Sequence, residues 1–247
     1  VKTVEIITPK LIIFDLDDTI LAYHAAIEPS MKAAFANCAS IQPIPDTDLL
    51  KREIHDMAEW YWSDLERHRI GRADLRQARY EVITLALKKI GIVDDRYANE
   101  LATERARLHE EYIDPFPGAI DTITKLQLDG YKLGMITNGA ANVQNAKIDR
   151  FNLRGYFDFI FVEGEVGYGK PDERIYSDAL KFAGVNATDS WMVGDNLHFD
   201  ILAAQKQGII TVWNDHKIEG LSIDSIAVPD IIINSITELP AILQRGY

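Results

Sequence analysis

The run Leu11-Ile12-Ile13-Phe14 is apolar at every position and ends abruptly in Asp15-Leu16-Asp17-Asp18-Thr19. A strand with no polar alternation has both faces covered, as in a parallel sheet packed between helices. Such sheets bind their ligands beyond the carboxyl ends of the strands. Carboxylates at that exit, Asp15 and Asp17 first, are therefore neither core residues nor ordinary surface charges.

The rest of the chain carries two different patterns. From Ile27 to about residue 114 only helical periodicity is found. Pro29 suits a first helical turn, and after Asp46 the residues Leu50, Ile54, Met57, Tyr61 and Leu65 recur at helical spacing on one stripe. Further helices are expected over 73–90, stopped by Gly91, and over 95–112, before Asp114-Pro115-Phe116-Pro117-Gly118 breaks the pattern. Beyond Pro117 helix and strand alternate. Strands are expected at 131–137, 157–162, 190–193, 209–213 and 230–233, with helices at 119–128, 142–151, 173–183 and 199–207. Repeated βα units make an α/β fold, a Rossmann-like and mostly parallel sheet with helices on both faces. The first strand belongs to that sheet. The expected organisation is thus an α/β core formed by 1–20 and 115–247, interrupted by an α-helical bundle at 21–114.

Asp plus Glu total 38 against 26 Lys plus Arg, a net charge of -12 that opposes attraction to nucleic acid or an anionic membrane. No apolar stretch approaches the roughly 20 residues that span a bilayer. The first residues lack the basic and apolar regions of a signal peptide. Cys38 is the single cysteine, so no intrachain disulfide forms, and its plain role is that of a small hydrophobe. The expected setting is the cytoplasm and the expected partner a small molecule; nothing here specifies an oligomeric state.

Other polar groups fall at the ends of later strands. Thr137-Asn138-Gly139 closes the strand at 131–137, Lys170 stands in Gly169-Lys170-Pro171-Asp172, and Gly194-Asp195-Asn196 closes the strand at 190–193, with Asp200 five residues on. Each alone reads as a helix cap, a turn former or a solvated loop charge. Brought to one sheet edge they read differently. Two carboxylates about 4 Å apart repel by about 4 kcal/mol at an effective dielectric of 20, so the group requires a cation or raised pKa values. Oxygen donors without a His or Cys cluster favour a hard divalent ion, and Mg2+ fits. Lys170 and the Thr137 hydroxyl would face an anion, and a phosphoryl group is the anion that wants both.

Asp15-x-Asp17-x-Thr19, then Thr137-Asn138, then Lys170-Pro171, then Gly194-Asp195 with Asp200, resembles the four ordered motifs of the haloacid dehalogenase-like hydrolase superfamily. The helical insertion resembles that superfamily's C1-type cap. The resemblance implies that Asp15 is a nucleophile forming an aspartyl phosphate, and that Asp17 protonates the leaving group and then activates water. It implies Mg2+ held by an Asp15 carboxylate oxygen, the Asp17 backbone carbonyl and Asp195. Thr137 and Lys170 would hold phosphoryl oxygens, with Asn138 a weaker contact, while Thr19 and Asp200 would support this shell. Dehalogenating members lack a carboxylic acid two residues after the nucleophile, so Asp17 implies a phosphatase. A phosphomutase, or a phosphometabolite-binding module without useful turnover, is the alternative.

The segment Gly130–Leu221 resembles the subgroup of pyrimidine nucleotidases and N-acylneuraminate-9-phosphatase, notably at Ile136-Thr137-Asn138-Gly139 and Thr211-Val212-Trp213-Asn214. That ranks a nucleoside monophosphate or sugar phosphate first as substrate. Within the bundle, Tyr23, His24 and Trp60 are either substrate contacts or, respectively, a surface turn and packing. Arg72, Arg76 and Arg79 share one helical face, which is either solvated or a clamp on a second anionic group.

Overall fold

The computed structural model describes residues 8–42 and 44–245. Its sheet has six strands: β1 (Leu11–Phe14), β2 (Lys132–Thr137), β3 (Phe159–Val162), β4 (Ser190–Gly194), β5 (Ile210–Asn214) and β6 (Ile231–Ile233). Their order is β3-β2-β1-β4-β5-β6, and every neighbouring pair is parallel. All four residues of β1 are fully buried at the centre of this order, as an all-apolar strand requires. In the register, Phe14 stands beside Met135 of β2 and Val193 of β4. The residues that follow these three strands therefore leave the sheet along one edge.

The helices in chain order are α1 (Ile27–Cys38), α2 (Thr47–Ser63), α3 (Leu65–Ala73), α4 (Leu75–Lys89), α5 (Asp95–Tyr112), α6 (Ala119–Leu128), α7 (Ala141–Arg150), α8 (Glu163–Val166), α9 (Glu173–Ala183), α10 (Ala203–Lys206) and α11 (Leu239–Arg245). Two compact units emerge: the stretch up to Ala22 together with that from Asp114 onward, and Tyr23–Ile113. Leu21 lies in the α/β unit because it bridges both Asp17 and Pro115, and the Ala22 N–H donates to the Asp114 carbonyl at 2.9 Å.

The helical unit has a core of its own, built from Met31, Ala34, Leu50, Ile54, Tyr61, Val82, Ile83, Leu87, Leu101 and their neighbours. Four aspartates start its helices. Asp46, Asp64, Asp74 and Asp94 each accept from the backbone N–H three residues on, at 2.8, 2.8, 3.0 and 2.9 Å. Asp64 also corrects the expected pattern. Its extended backbone ends α2 and its side chain caps α3, so Leu65 leaves the apolar stripe and stands exposed. Among the described residues the bundle thus has five α-helices where the periodicity predicted four.

The expected helix at 199–207 differs as well. Asn196 accepts from the His198 and Phe199 N–H groups, opening a wider π-helical turn over Leu197–Leu202 before α10 begins. That turn holds Asp200 buried beneath the sheet edge. No helix of the described residues is long and apolar enough to cross a membrane.

Candidate active site

Asp15 follows β1, its N–H donating to the Val193 carbonyl of β4 at 2.9 Å. Its side chain is buried and meets the Lys170 ammonium, with Nζ 2.5 Å from Oδ1. Lys170 reaches this point from the loop between α8 and α9 and also binds Asp200 Oδ1 at 2.6 Å. One buried cation thus serves two buried carboxylates.

Electrostatics follow from that count. Burial above all, and then the neighbouring Asp200 and Asp17, push the Asp15 carboxyl up to about 7 despite Lys170. Burial alone would depress the Lys170 ammonium, but Asp15 and Asp200 overcome it and hold the group above its ordinary range. Asp195 is raised well above the usual carboxylate range by burial, with Asp15, Asp200 and Asp18 adding to the effect. Its carboxylate has no hydrogen-bond or ion-pair partner among the described residues. Ligand oxygens of Asp15, Asp195 and Asp200 lie within 4.8 Å of one another. Asp200 is already engaged twice, by Lys170 and by the Asn196 N–H at 3.0 Å on Oδ2. The cluster suits a hard cation on Asp15 and Asp195, because an all-oxygen donor set with one unpaired carboxylate lacks only positive charge.

Two glycines make room for this arrangement. A Cβ on Gly194 would fall 2.3 Å from Asp200 Cγ, and one on Gly169 would fall 2.4 Å from Asn138 Oδ1. Neither position admits a side chain without moving a polar group of the site.

Thr137, at the end of β2, is buried, and its hydroxyl oxygen accepts from Gln144 Nε2 at 2.5 Å. Its proton is then left to donate outward. Asn138, expected among the phosphate contacts, is engaged at both ends: Nδ2 donates to the Lys170 carbonyl at 2.7 Å and Oδ1 accepts from the Lys170 N–H at 2.8 Å. It fixes the Lys170 loop. Thr19 is fully buried, and its hydroxyl has no partner among the described residues.

Asp17 sits in a tight turn in which Asp18 adopts a left-handed conformation (φ 60°) and donates its N–H to the Leu21 carbonyl at 2.7 Å. The Asp17 carboxylate is partly exposed and gripped by two residues of α7. Lys147 Nζ lies 2.6 Å from Oδ1, and Gln144 Nε2 lies 3.1 Å from Oδ2. Sequence reading missed both residues. The available signal was their spacing of three, which puts two polar groups on one face of the helix that follows Thr137-Asn138.

In the helical unit, Tyr23 is partly buried and His24 exposed. Trp60 is 47% exposed, with the Arg67 guanidinium over its ring at 4.0 Å. Of the arginine group, Arg69 pairs with Glu66, Arg76 reaches Asn99 at 3.2 Å, and Arg79 approaches the Tyr23 hydroxyl at 3.5 Å.

A family model described as haloacid dehalogenase-like hydrolase matches residues 12–214, a span that takes in every edge residue above. The chain belongs to this family. As a haloacid dehalogenase-like hydrolase it is 29% identical over 240 residues to glyceraldehyde 3-phosphate phosphatase from Pyrococcus furiosus, covering 96% of this chain and 93% of that protein. It is 31% identical over 193 residues to pyrimidine 5'-nucleotidase YjjG from Escherichia coli, covering 74% and 78% respectively. The HAD-hydrolase YfnB from Bacillus subtilis, solved bound to magnesium, superposes with a TM-score of 0.78 at 26% identity, covering 96% of this chain and 99% of that one.

Proposed function

We propose that this hydrolase cleaves a phosphomonoester of a small cytoplasmic metabolite, using Mg2+ and passing through an aspartyl phosphate on Asp15. The observation that carries the reading is the Asp15–Lys170–Asp200 triad beside the unpaired Asp195, a carboxylate nucleophile and a cation set where an anion would be received. Two relatives whose names denote phosphate-ester hydrolysis support the same reaction class.

In the first half-reaction an Asp15 oxygen attacks phosphorus and the bond from phosphorus to the ester oxygen breaks, with Asp17 giving its proton to that oxygen. In the second, Asp17 takes a proton from water, the water oxygen attacks phosphorus, and the bond to Asp15 breaks to release phosphate. Lys170 and the Thr137 O–H stabilise the charge on the phosphoryl oxygens, and Asn138 keeps Lys170 in place. Lys147 and Gln144 orient Asp17. Asp15, Asp195 and the Asp17 carbonyl would hold Mg2+, which when bound neutralises charge on nucleophile and phosphate together. Selectivity is assigned to the helical unit, with Tyr23, His24 and Trp60 as candidates and nucleotides and sugar phosphates as the leading substrate classes.

Purified protein should release phosphate from p-nitrophenyl phosphate with Mg2+ and stop with EDTA. A broad panel of phosphate esters without turnover would defeat the reading. Isomerised sugar phosphate in place of free phosphate would favour a mutase.

A further inference from the structure

Gln144 is a buried amide near the start of α7, and the start of that helix is clamped. The chain turns from β2 into α7 through Gly139, whose φ of 124° suits glycine and few other residues. Its N–H donates to Glu163 Oε2 at 2.9 Å, and its carbonyl accepts from the Gly164 N–H at 3.0 Å. A Cβ on Gly164 would fall 2.4 Å from the Ala141 nitrogen, so α7 begins hard against the segment that follows β3. Gln144 lies one turn further on and is thereby held at the sheet edge.

One of its atoms makes two contacts. Nε2 lies 2.5 Å from Thr137 Oγ1 at the end of β2 and 3.1 Å from Asp17 Oδ2 beyond β1. The Asp17 carboxylate, ion-paired with Lys147, only accepts, so the group that faces it is the amide NH2 and not the amide oxygen. That NH2 has two protons, one for Asp17 and one for Thr137. The Thr137 oxygen must then accept, and its own proton is turned away from Gln144. An oxygen in place of this nitrogen would reverse the Thr137 hydroxyl and repel Asp17 together.

We propose that Gln144 is a positioning residue that couples the two sides of the site, holding Asp17 for the leaving group and the Thr137 O–H for the phosphoryl group through one nitrogen. The Asp17 half rests on the phosphatase reading. The Thr137 half requires only that the site receive an oxyanion.

The test uses the whole protein with Gln144→Met, alone and combined with Thr137→Val or with Asp17→Asn, and circular dichroism to check the fold. The Ki of inorganic phosphate reads the Thr137 side. The ratio of kcat for glycerol 3-phosphate to kcat for p-nitrophenyl phosphate reads the Asp17 side, because an alkoxide needs a proton to depart and a nitrophenolate scarcely does. Gln144→Met should raise the phosphate Ki by about fivefold and lower the ratio by about tenfold. In the Thr137→Val background it should raise Ki no further, and in the Asp17→Asn background it should lower the ratio no further, since it acts through those residues. A merely structural glutamine would slow both esters alike and leave the ratio in place. Should Gln144→Met fail to fold, the isosteric Gln144→Glu, which puts an acceptor where the donor stood, should move both readouts the same way and further. A shift in only one readout, or in neither, overturns the coupling. If the wild type hydrolyses no ester, the phosphatase reading fails. Calorimetric titration with inorganic phosphate then tests the Thr137 half, which is overturned if affinity in Gln144→Met equals that of the wild type.

Discussion

Lys170 Nζ stands 2.5 Å from Asp15 Oδ1 and 2.6 Å from Asp200 Oδ1, so a single buried ammonium balances both carboxylates. Removing one member of a buried ion pair typically costs about 3–5 kcal/mol, since the other charge is left uncompensated. Lys170→Met is therefore expected to abolish phosphate release and to lower unfolding free energy by about that amount, read from denaturant titration. Normal turnover in the folded variant would remove Lys170 from the mechanism.

Gly194 makes the same point sterically. A methyl group there overlaps the Asp200 carboxylate, so Gly194→Ala must displace Asp200 and release Lys170. A loss of about 1–3 kcal/mol in stability is expected from the overpacking, with activity falling further than stability does. Thermal melts and initial rates on one preparation check both.

Lys147 is proposed to act through Asp17, whose Oδ1 lies 2.6 Å from its Nζ. Lys147→Met should leave KM little changed and lower kcat by about tenfold, a fraction of the roughly 10²–10⁴ that a positioned acid–base group contributes. An equal fall in Asp17→Asn and in the double variant with Lys147→Met would show that Lys147 works through Asp17.

The raised Asp15 sets a pH dependence with a definite sign. A carboxyl that ionises near 7 in the folded chain and at 3.8 ordinarily is protonated longer when folded. Its contribution to stability is thus complete below 3.8 and is lost as pH rises through about 7. Asp195 moves in the same direction. With EDTA the melting temperature should fall between about pH 5 and about pH 8, and the rise produced by Mg2+ should grow across the same window, because cation and proton compete. A Mg2+ shift independent of pH would contradict this.

The sheet was legible because its cause is local: β1 is apolar throughout, and helix and strand alternate beyond Pro117. The edge residues Asp15, Thr137, Lys170 and Asp195 were legible for the same reason, since parallel strands collect their ends on one side. Lys147 and Gln144 were not, because a polar pair on a helix looks like any solvated face until the helix is docked. The break at Asp64 was hidden too: the apolar stripe runs through to Leu65, and only the extended backbone at Asp64 shows the new helix starting. The π-helical turn at Leu197–Leu202 depends on the Asn196 cap and on burial of Asp200, neither of which a 3.6-residue period records.

The central claim is that Asp15 attacks phosphorus. Acid-quenching the protein during turnover of p-nitrophenyl phosphate, followed by peptide mass spectrometry, tests it directly. The expected result is a phosphoryl adduct on the peptide that carries Asp15, absent from Asp15→Asn, which folds but releases no phosphate. An adduct on another residue, or undiminished phosphate release by Asp15→Asn, would contradict it.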